Sequence, residues 1–306
     1  MASSISRRAL LLGAAASVVS TSACATVRPV TPAATAAAPS GASPGTSTPP
    51  EPRTPATVSS LVAGHPFYIA HRGGRLNWPE MTAYAYAQAA ALPYVKAIEI
   101  SVCATSDGVL VCSHDRTTAR VTGVPYEISQ VPWATLSELT VKASETNNPD
   151  QPPQPFSRLD EVIEQHIQEL VVFIEPKVKG ALEPLKAMLR ELNQPERTVW
   201  KHPVNSGHFA WAKEQGFTTW GYVLDEPAHS FDQVAEIAAG PNVDMLGVER
   251  VRTDEVTRQI VDLAGNAGKR TITWSISTAE ERARALSLGC QGLMTANIRD
   301  LPATPL

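Results

Sequence analysis

The stretch EISVCATSDGVLVCSHD, residues 99–115, has a carboxylate at one end and an imidazole beside a second carboxylate at the other. Such side chains transfer protons and bind cations, so they can act together only if the two ends meet. Two β-rich runs in the stretch are joined by ATSDG, which is too short to hold a helix and predicts a hairpin. A two-residue turn at Asp107–Gly108 brings Glu99 and His114 onto one face of that hairpin.

Two histidines follow β-rich runs, His71 in IAHRGG and His114 in VCSHD. Imidazoles near a carboxylate suit general acid and base catalysis, in which one group donates a proton and the other accepts one. Glu175 ends another run, VVFIEPK, and Lys177 lies two residues further on, so both side chains project from one face of a strand. These groups come together only if their strands share one sheet.

The elements that must position these side chains alternate between short β-rich runs and amphipathic segments. The predicted strands are FYIAHR, KAIEISV, VLVCSH, ELVVFIEPK, RTVWKH, FTTWGYVL, VDMLGVE, KRTITWSI and QGLMT. The predicted helices are PEMTAYAYAQAAA, SRLDEVIEQHI, ALEPLKAMLRELN, SGHFAWAKEQ, FDQVAEIAA, TDEVTRQIVDLAGNA and TAEERARALSLG. About eight such right-handed βαβ units predict an α/β fold, a (β/α)8 TIM barrel with a β-hairpin insertion after the second strand. Catalytic groups of such a barrel lie at the carboxyl ends of its strands.

Short motifs in this chain resemble those of the glycerophosphodiester phosphodiesterase family, in the same order. The family begins with His-Arg-Gly and a Pro-Glu-Asn-Thr helix start, matched by HRGG at 71–74 and PEMT at 79–82. Glu-x-Asp, a Thr-x-Asp-Gly hairpin and His-Asp follow, where this chain has EIS, TSDG and HD. Glu-x-Lys is matched by EPK at 175–177, and Trp-Thr-Val loosely by WSI at 274–276. The resemblance covers residues 67 to about 301.

The resemblance implies roles for individual side chains. His71 and His114 would be the acid/base pair that activates the attacking hydroxyl and protonates the leaving alkoxide. Arg72 would grip the phosphate, because a guanidinium fork matches phosphate oxygens, and Lys177 would add a second positive contact. Trp274 would form an apolar wall for the alcohol portion of the substrate.

The resemblance also implies a divalent cation, Mg²⁺ or Ca²⁺, held by Glu99 and Glu175. The family has an aspartate in Glu-x-Asp as a further ligand, but this chain has Ser101, whose hydroxyl coordinates a hard cation without adding negative charge. Glu80 at the start of the first helix is a further candidate ligand. We therefore expect a weaker cation site than the family motif provides.

The expected function is metal-dependent hydrolysis of a glycerol phosphodiester, a glycerophosphodiester or a lysophospholipid-like molecule, to an alcohol and glycerol phosphate. One alternative is a sphingomyelinase D-like phosphodiesterase, which leaves a cyclic phosphate. Another is a surface barrel that binds phosphodiesters without turnover, because Ser101 replaces the metal-ligand aspartate. Both histidines are present, which favours an enzyme, since a binding protein has no need of two proton-transfer groups.

Residues 1–25 predict an export signal, with Arg7 and Arg8 before a short apolar stretch and a small-residue exit. The paired arginines resemble a twin-arginine signal, and TSAC ending at Cys24 resembles a lipobox, which makes Cys24 a candidate for a lipid tether. Cleavage after Ala25 is the alternative and would give a secreted protein. The apolar stretch is too short to span a membrane, so we expect no transmembrane helix in the mature chain.

Residues 26–62 are rich in Pro, Ala, Ser and Thr, which predicts a disordered linker between the signal and a TIM barrel over residues 63–306. We expect a protein exported across a bacterial-type cytoplasmic membrane, either a cell-surface lipoprotein or secreted. The formal net charge is −4 and no basic run follows the signal, so we expect a small-molecule phosphodiester as partner and no nucleic acid.

Export bears on the cysteines of the hairpin. The predicted register sets Cys103 opposite Cys112 at a closely approaching pair, which would permit a disulfide in an oxidising compartment and leave Cys290 free. Two buried thiols packed as small apolar groups are the alternative, because twin-arginine cargo folds in the reducing cytoplasm.

Overall fold

The β-rich runs of the sequence all form strands in the computed structural model, which describes residues 54–143, 145–146, 150–224 and 230–302. The strands, numbered in chain order, are β1 (Phe67–Ala70), β2 (Ala97–Ala104), β3 (Leu110–Cys112), β4 (Thr140–Val141), β5 (Gln154–Pro155), β6 (Val171–Pro176), β7 (Thr198–Pro203), β8 (Thr218–Val223), β9 (Met245–Glu249), β10 (Arg270–Ile276) and β11 (Gly292–Thr295). Parallel pairing runs from β2 through β6–β11 to β1, and β1 also pairs with β2. The sheet therefore closes into the predicted (β/α)8 TIM barrel.

The predicted helices all form as well, and three short helices join them. The described helices are α1 (Val58–Ala63), α2 (Ala83–Ala91), α3 (Ala119–Thr122), α4 (Trp133–Leu136), α5 (Leu159–His166), α6 (Lys179–Leu192), α7 (Phe209–Glu214), α8 (Phe231–Ala239), α9 (Asp254–Asn266) and α10 (Ala279–Ser287). Apolar residues at helical spacing explain their packing, as in α6, where Ala181, Leu185 and Leu189 are buried on one face. Within the described residues, no helix is both long and apolar enough to cross a lipid bilayer.

Apolar side chains pack in two layers. Outward-facing strand residues such as Ile98, Ile100 and Ile174 are fully buried in a cluster with the surrounding helices. Inward-facing residues such as Phe173 and Trp220 fill the barrel, and their rings meet edge to face at 6.0 Å. Burying a side chain of this size contributes roughly 1.5–3 kcal/mol, so the filled interior is a major source of stability and a firm base for the site above it.

Helix α1 corrects the predicted boundary of the linker. All of it but its last residue, Ala63, falls in the predicted linker of residues 26–62, yet Thr57 caps it with a capping box, and Leu61 is only 2% exposed. Its apolar residues join the cluster inside the barrel, at the end where the strands begin. Composition alone predicts disorder here, but VSSLVA repeats apolar residues at helical spacing and the barrel offers them a surface. The predicted export signal, Cys24 and the linker up to residue 53 lie outside the described residues.

The hairpin β2–β3 forms as predicted, but its register differs by one residue. The loop has three residues, because Gly108 donates its N–H to the Thr105 carbonyl oxygen and Thr105 pairs with Val109. Gly108 has φ +83°, the left-handed conformation that a three-residue hairpin loop requires. Thr105 and Asp107 also share a 2.6 Å side-chain hydrogen bond that holds the turn. A loop of three residues instead of two shifts every facing pair by one.

The predicted Cys103–Cys112 disulfide is therefore wrong. Cys103 pairs with Val111, and Cys112 pairs with Val102, so the two sulfurs point to opposite faces of the hairpin. Both thiols are free and buried, and so is that of Cys290. Burial raises the pKa of the Cys103 thiol to about 12, which leaves it protonated and unreactive. The alternative of thiols packed as small apolar groups agrees with the structure.

Candidate active site

The floor of the site consists of polar side chains that continue the inward-facing rows of three strands. In β2, Glu99 and Ser101 follow the inward-facing Ala97 in steps of two residues, and all three are fully buried. In β6 and β7 the same alternation places Glu175 and Lys201 inside the barrel. Successive inward positions thus change from apolar to charged toward the carboxyl ends of the strands, where barrel sites form.

Lys201 is the centre of this floor. Its Nζ donates to Oε1 of Glu99 at 2.7 Å and to Oε1 of Glu175 at 2.8 Å. The Ser101 Oγ is 3.1 Å from each of the same two oxygens. One ammonium group therefore links the two carboxylates, with a hydroxyl beside it.

The other oxygens of these carboxylates also accept hydrogen bonds. Oε2 of Glu175 accepts from the Tyr222 hydroxyl at 2.9 Å, and Lys177 adds a 3.0 Å bond to Oε1. Oε2 of Glu99 accepts the backbone N–H of Arg72 at 3.0 Å. All four carboxylate oxygens are therefore satisfied by donors from the chain itself.

The charged groups of this cluster stabilise one another in their ionised forms. Burial alone favours the neutral carboxyl of Glu175, but Lys201 and Lys177 outweigh it and hold the pKa of Glu175 well below its ordinary value. Burial likewise favours a neutral amine, but Glu175 and Glu99 outweigh it and raise the pKa of Lys201. The floor is therefore a set of ion pairs at neutral pH.

His71 lies at the end of β1, above the carboxylate of Glu99. Its Nδ1 is 2.9 Å from the Ser275 hydroxyl, and its Nε2 is 4.0 Å from Oε2 of Glu99. Burial is the largest cause that lowers the pKa of His71 well below its usual value, followed by the charges of Arg72 and Lys201. The next residue, Arg72, has φ +55°, a left-handed conformation that turns its backbone N–H toward Glu99.

His114 enters the site just beyond β3. Its Nδ1 is 2.8 Å from Oδ1 of Asp115, and Asp115 in turn accepts from Nε of Arg120 at 2.6 Å. Burial lowers the pKa of His114, and the hydrogen bond to Asp115 opposes that shift without cancelling it. The contact through Nδ1 leaves Nε2 as the ring nitrogen available to a substrate.

Glu80 does not join the carboxylates of the floor. Arg120 donates to both of its oxygens, at 2.6 and 3.1 Å, and Arg72 lies at 3.3 Å from Oε1. Glu80 therefore orients Arg72 and Arg120 from the start of the first barrel helix. Its carboxylate is already bound by two guanidinium groups, so this geometry does not fit its predicted part as a metal ligand.

These side chains surround one pocket of about 180 Å³ at the carboxyl end of the barrel. Its lining residues are His71, Arg72, His114, Glu175, Lys177, Lys201, Tyr222, Leu224 and Trp274. Trp274 stands at one wall, with its ring centroid 5.4 Å from that of Tyr222. The two histidines, the two predicted phosphate contacts and the predicted apolar wall thus meet in one place.

A divalent cation does not fit the donors of this floor. Such ions take six or more oxygen ligands, whereas an ammonium group already lies between the two carboxylates and Ser101 adds no charge. Among the residues that the structure describes, no group of three or more His, Cys, Asp or Glu could hold a metal ion. The predicted Mg²⁺ or Ca²⁺ site at Glu99, Glu175 and Ser101 therefore disagrees with the geometry.

Lys201, Tyr222 and Ser275 are residues of the site that sequence reasoning missed. Lys201 stands in the β-rich run TVWKHP, where a charged residue at an inward position is unusual and was a usable signal. Tyr222 and Ser275 carried no such signal, because a tyrosine or a serine near a strand end most often serves packing or a turn.

The chain is similar to known proteins over this same region. The pattern of the Glycerophosphoryl diester phosphodiesterase family matches residues 71–221. A segment of 82 residues, 27% of this chain, is 40% identical to the probable glycerophosphodiester phosphodiesterase 1 of Mycobacterium tuberculosis and covers 30% of that protein. A segment of 131 residues, 41% of this chain, is 32% identical to glycerophosphodiester phosphodiesterase 1 of Homo sapiens and covers 39% of it. The matched segments thus span less than half the length of these relatives.

The fold is also found among solved structures. A phosphodiesterase of Oleispira antarctica, solved in complex with the product sn-glycerol-3-phosphate, superposes with a TM-score of 0.60. The match covers 78% of this chain and 96% of that one, at 21% sequence identity. At that identity the likeness shows a common barrel.

Proposed function

The chain belongs to the glycerophosphoryl diester phosphodiesterase family, and on this premise we propose that it hydrolyses a glycerol phosphodiester to an alcohol and glycerol phosphate. The observation that carries the proposal is the single pocket lined by His71, His114, Arg72 and Lys177. Two imidazoles and two cationic side chains around one cavity match what phosphodiester cleavage needs: proton transfer at two oxygens and neutralisation of phosphate charge.

The two histidines take different parts in this proposal. Asp115 fixes the tautomer and orientation of His114 through Nδ1, as a carboxylate does for a general base, so His114 removes the proton from the attacking oxygen. As the bond from that oxygen to phosphorus forms, the bond to the leaving alkoxide breaks. His71 then donates a proton to the alkoxide, which leaves as the alcohol. The second substrate is water, so the products are the alcohol and glycerol phosphate.

The cationic side chains hold the phosphate. Arg72 and Lys177 are partly exposed to the pocket, with side chains 13% and 23% accessible, while their other contacts anchor them to Glu80 and Glu175. Charged groups held in place by other residues need little rearrangement when charge develops on the phosphate oxygens. Trp274 would face the apolar part of the alcohol, which suits a lysophospholipid-like substrate as well as a small head group.

Substrate turnover tests this proposal. We expect the protein to convert glycerophosphocholine, and lysophosphatidylcholine if the wall at Trp274 accepts an acyl chain, to glycerol phosphate or its acylated form and choline. Phosphorus NMR identifies the product, because a cyclic phosphate resonates apart from an open monoester. An accumulating cyclic phosphate would favour the sphingomyelinase D-like alternative. Specific binding of both compounds without turnover would favour the binding protein.

The pH dependence of turnover follows from the histidines. Burial lowers the pKa of both His71 and His114 below their ordinary value of 6.5. Turnover needs one histidine protonated and the other neutral, so the rate falls above the higher of the two pKa values, where neither carries a proton, and below the lower one, where both do. We therefore expect kcat/KM to be greatest below pH 6.5 and to fall about tenfold per pH unit well above it. Initial rates from pH 4 to 9 at constant ionic strength measure this profile, and a plateau at pH 7–9 would contradict it.

A further inference from the structure

The ammonium group of Lys201 has the contacts that a bound cation would have. It lies within 2.8 Å of one oxygen from each of two carboxylates, on strands β2 and β6, and its side chain is 8% accessible. Its charge also faces the rings of Trp220 and Tyr222, at 5.7 and 5.6 Å from their centroids. Carboxylates and aromatic faces on several sides make this a built cation site that the chain itself fills.

The position of Lys201 is fixed by the barrel. Lys201 is in the middle of β7, where it is paired with Trp220 of the neighbouring strand, and the inward row of β7 runs from Val199 to Lys201. The side chain cannot leave this row without moving the strand. A buried lysine that lost its carboxylates would be costly, so the ammonium and the two glutamates hold one another in place.

The identity of residue 101 agrees with this arrangement. Two carboxylates with one ammonium carry the same net charge as three carboxylates with one divalent cation. This chain has Ser101 where the resemblance predicts a third carboxylate, and the serine hydroxyl lies 3.1 Å from the same two oxygens that Lys201 contacts, so it can donate to either one. An aspartate at position 101 together with Lys201 would give three carboxylates and one ammonium, so the net charge of the cluster would change from −1 to −2. A serine at position 101 therefore suits a site whose cation is the ammonium group of Lys201.

We propose that Lys201 takes the place of a divalent cation in this site and that the protein cleaves phosphodiesters without a bound metal. The ammonium group holds Glu99 where it accepts the backbone N–H of Arg72 and faces His71, and it supplies a fixed positive charge on the floor of the phosphate pocket. Lys201 is thus a positioning and charge-bearing residue. This inference rests on the proposed hydrolysis. It adds that the ammonium group of Lys201 helps to neutralise the charge of the phosphate.

Metal dependence of the wild-type protein is the first test. The protein is treated with EDTA and dialysed, its metal content is measured by mass spectrometry, and glycerophosphocholine turnover is compared with and without Mg²⁺ or Ca²⁺. We expect a metal-free protein with unchanged kcat/KM, and no heat of binding or rise in melting temperature on adding either ion. Activity that is lost with EDTA and restored by either ion would overturn the inference and leave the proposed hydrolysis standing.

Variants provide the second test. Lys201→Ala is expected to lower metal-free kcat/KM by at least about 100-fold. The double variant Ser101→Asp with Lys201→Ala should bind one Ca²⁺ per chain by calorimetry and regain turnover only with that ion. A folded double variant that binds no Ca²⁺ would contradict the inference. Lys213→Ala is the matched control, because Lys213 pairs with Asp244 at the opposite end of the barrel.

The two tests also separate this inference from the proposed function. Metal content and calorimetry require no substrate, so they decide whether Lys201 excludes a cation even if no phosphodiester is cleaved. A wild-type protein that binds Mg²⁺ or Ca²⁺ at one site per chain, lost in Glu99→Gln, would overturn the inference whatever the activity. A protein that turns over none of the substrates and binds no metal would contradict the proposed function alone.

Discussion

Replacing either His71 or His114 by alanine is expected to lower kcat by about 10²–10⁴-fold while the barrel stays folded. Each imidazole transfers one proton in the proposed reaction, and no other histidine lines the pocket among the described residues. The effects of the two substitutions on kcat should be far from additive when they are combined, because the loss of either histidine already prevents the paired proton transfer. Steady-state kinetics with glycerophosphocholine measure kcat, and circular dichroism shows whether the barrel stays folded.

His65→Ala is the control for the histidine variants. His65 is exposed and precedes β1, at the end of the barrel away from the pocket, so its removal takes away an imidazole without touching the site. We expect wild-type kinetics from it. Wild-type kcat in both His71→Ala and His114→Ala would show that proton transfer uses other groups.

Lys201→Met is expected to lower the free energy of unfolding by about 3–5 kcal/mol at neutral pH. The substitution keeps the length of the side chain but leaves Glu99 and Glu175, which are 0% and 2% exposed, as neighbouring buried charges. In the wild type the folded-state pKa of Glu175 is depressed, because Lys201 and Lys177 outweigh burial, so its contribution is present at neutral pH and lost as the pH falls. Without Lys201 one carboxyl gains a proton readily, so the loss of stability should shrink as the pH falls toward 5.

Urea unfolding at pH 7.5 and pH 5 measures this effect. The triple variant Glu99→Gln, Lys201→Met and Glu175→Gln removes all three charges, and we expect it to recover much of the lost stability, because replacing a whole buried ion cluster costs far less than breaking it. An unchanged free energy of unfolding in Lys201→Met at pH 7.5 would mean that the ion pairs contribute nothing to the fold.

The barrel could be predicted from the sequence because its signals are local and repeated. Each βα unit has a short apolar run followed by a segment with apolar residues at helical spacing. Because this pattern repeats in unit after unit, it predicts a barrel more firmly than one unit would. Helix α1 was not predicted, because a short helix in a segment rich in Pro, Ala, Ser and Thr has little sequence signal of its own. Only packing against the barrel shows that Val58 and Leu61 are buried.

The site was predictable in part, for reasons that differ between residues. His71, Arg72 and Lys177 sit at strand ends, so their meeting follows from barrel topology alone. The register of the hairpin depends on whether the turn has two or three residues, which the dipeptide Asp107–Gly108 does not decide. His114 still reaches the pocket despite the slip, because it lies beyond the last residue pair of β3. The hydrogen bonds between Lys201 and the two glutamates join three strands, so predicting them requires the register of those strands.

Helix α1 also sets a limit on how the chain can be matured. Ala56, Val58 and Leu61 belong to the cluster that fills the barrel, and the Ala56 N–H bonds to the Glu169 carbonyl oxygen just before β6. A peptidase that cuts inside α1 would remove part of this cluster and let water into the interior beneath the floor of the site. Any spacer that precedes the barrel therefore ends near residue 55, ahead of the predicted boundary.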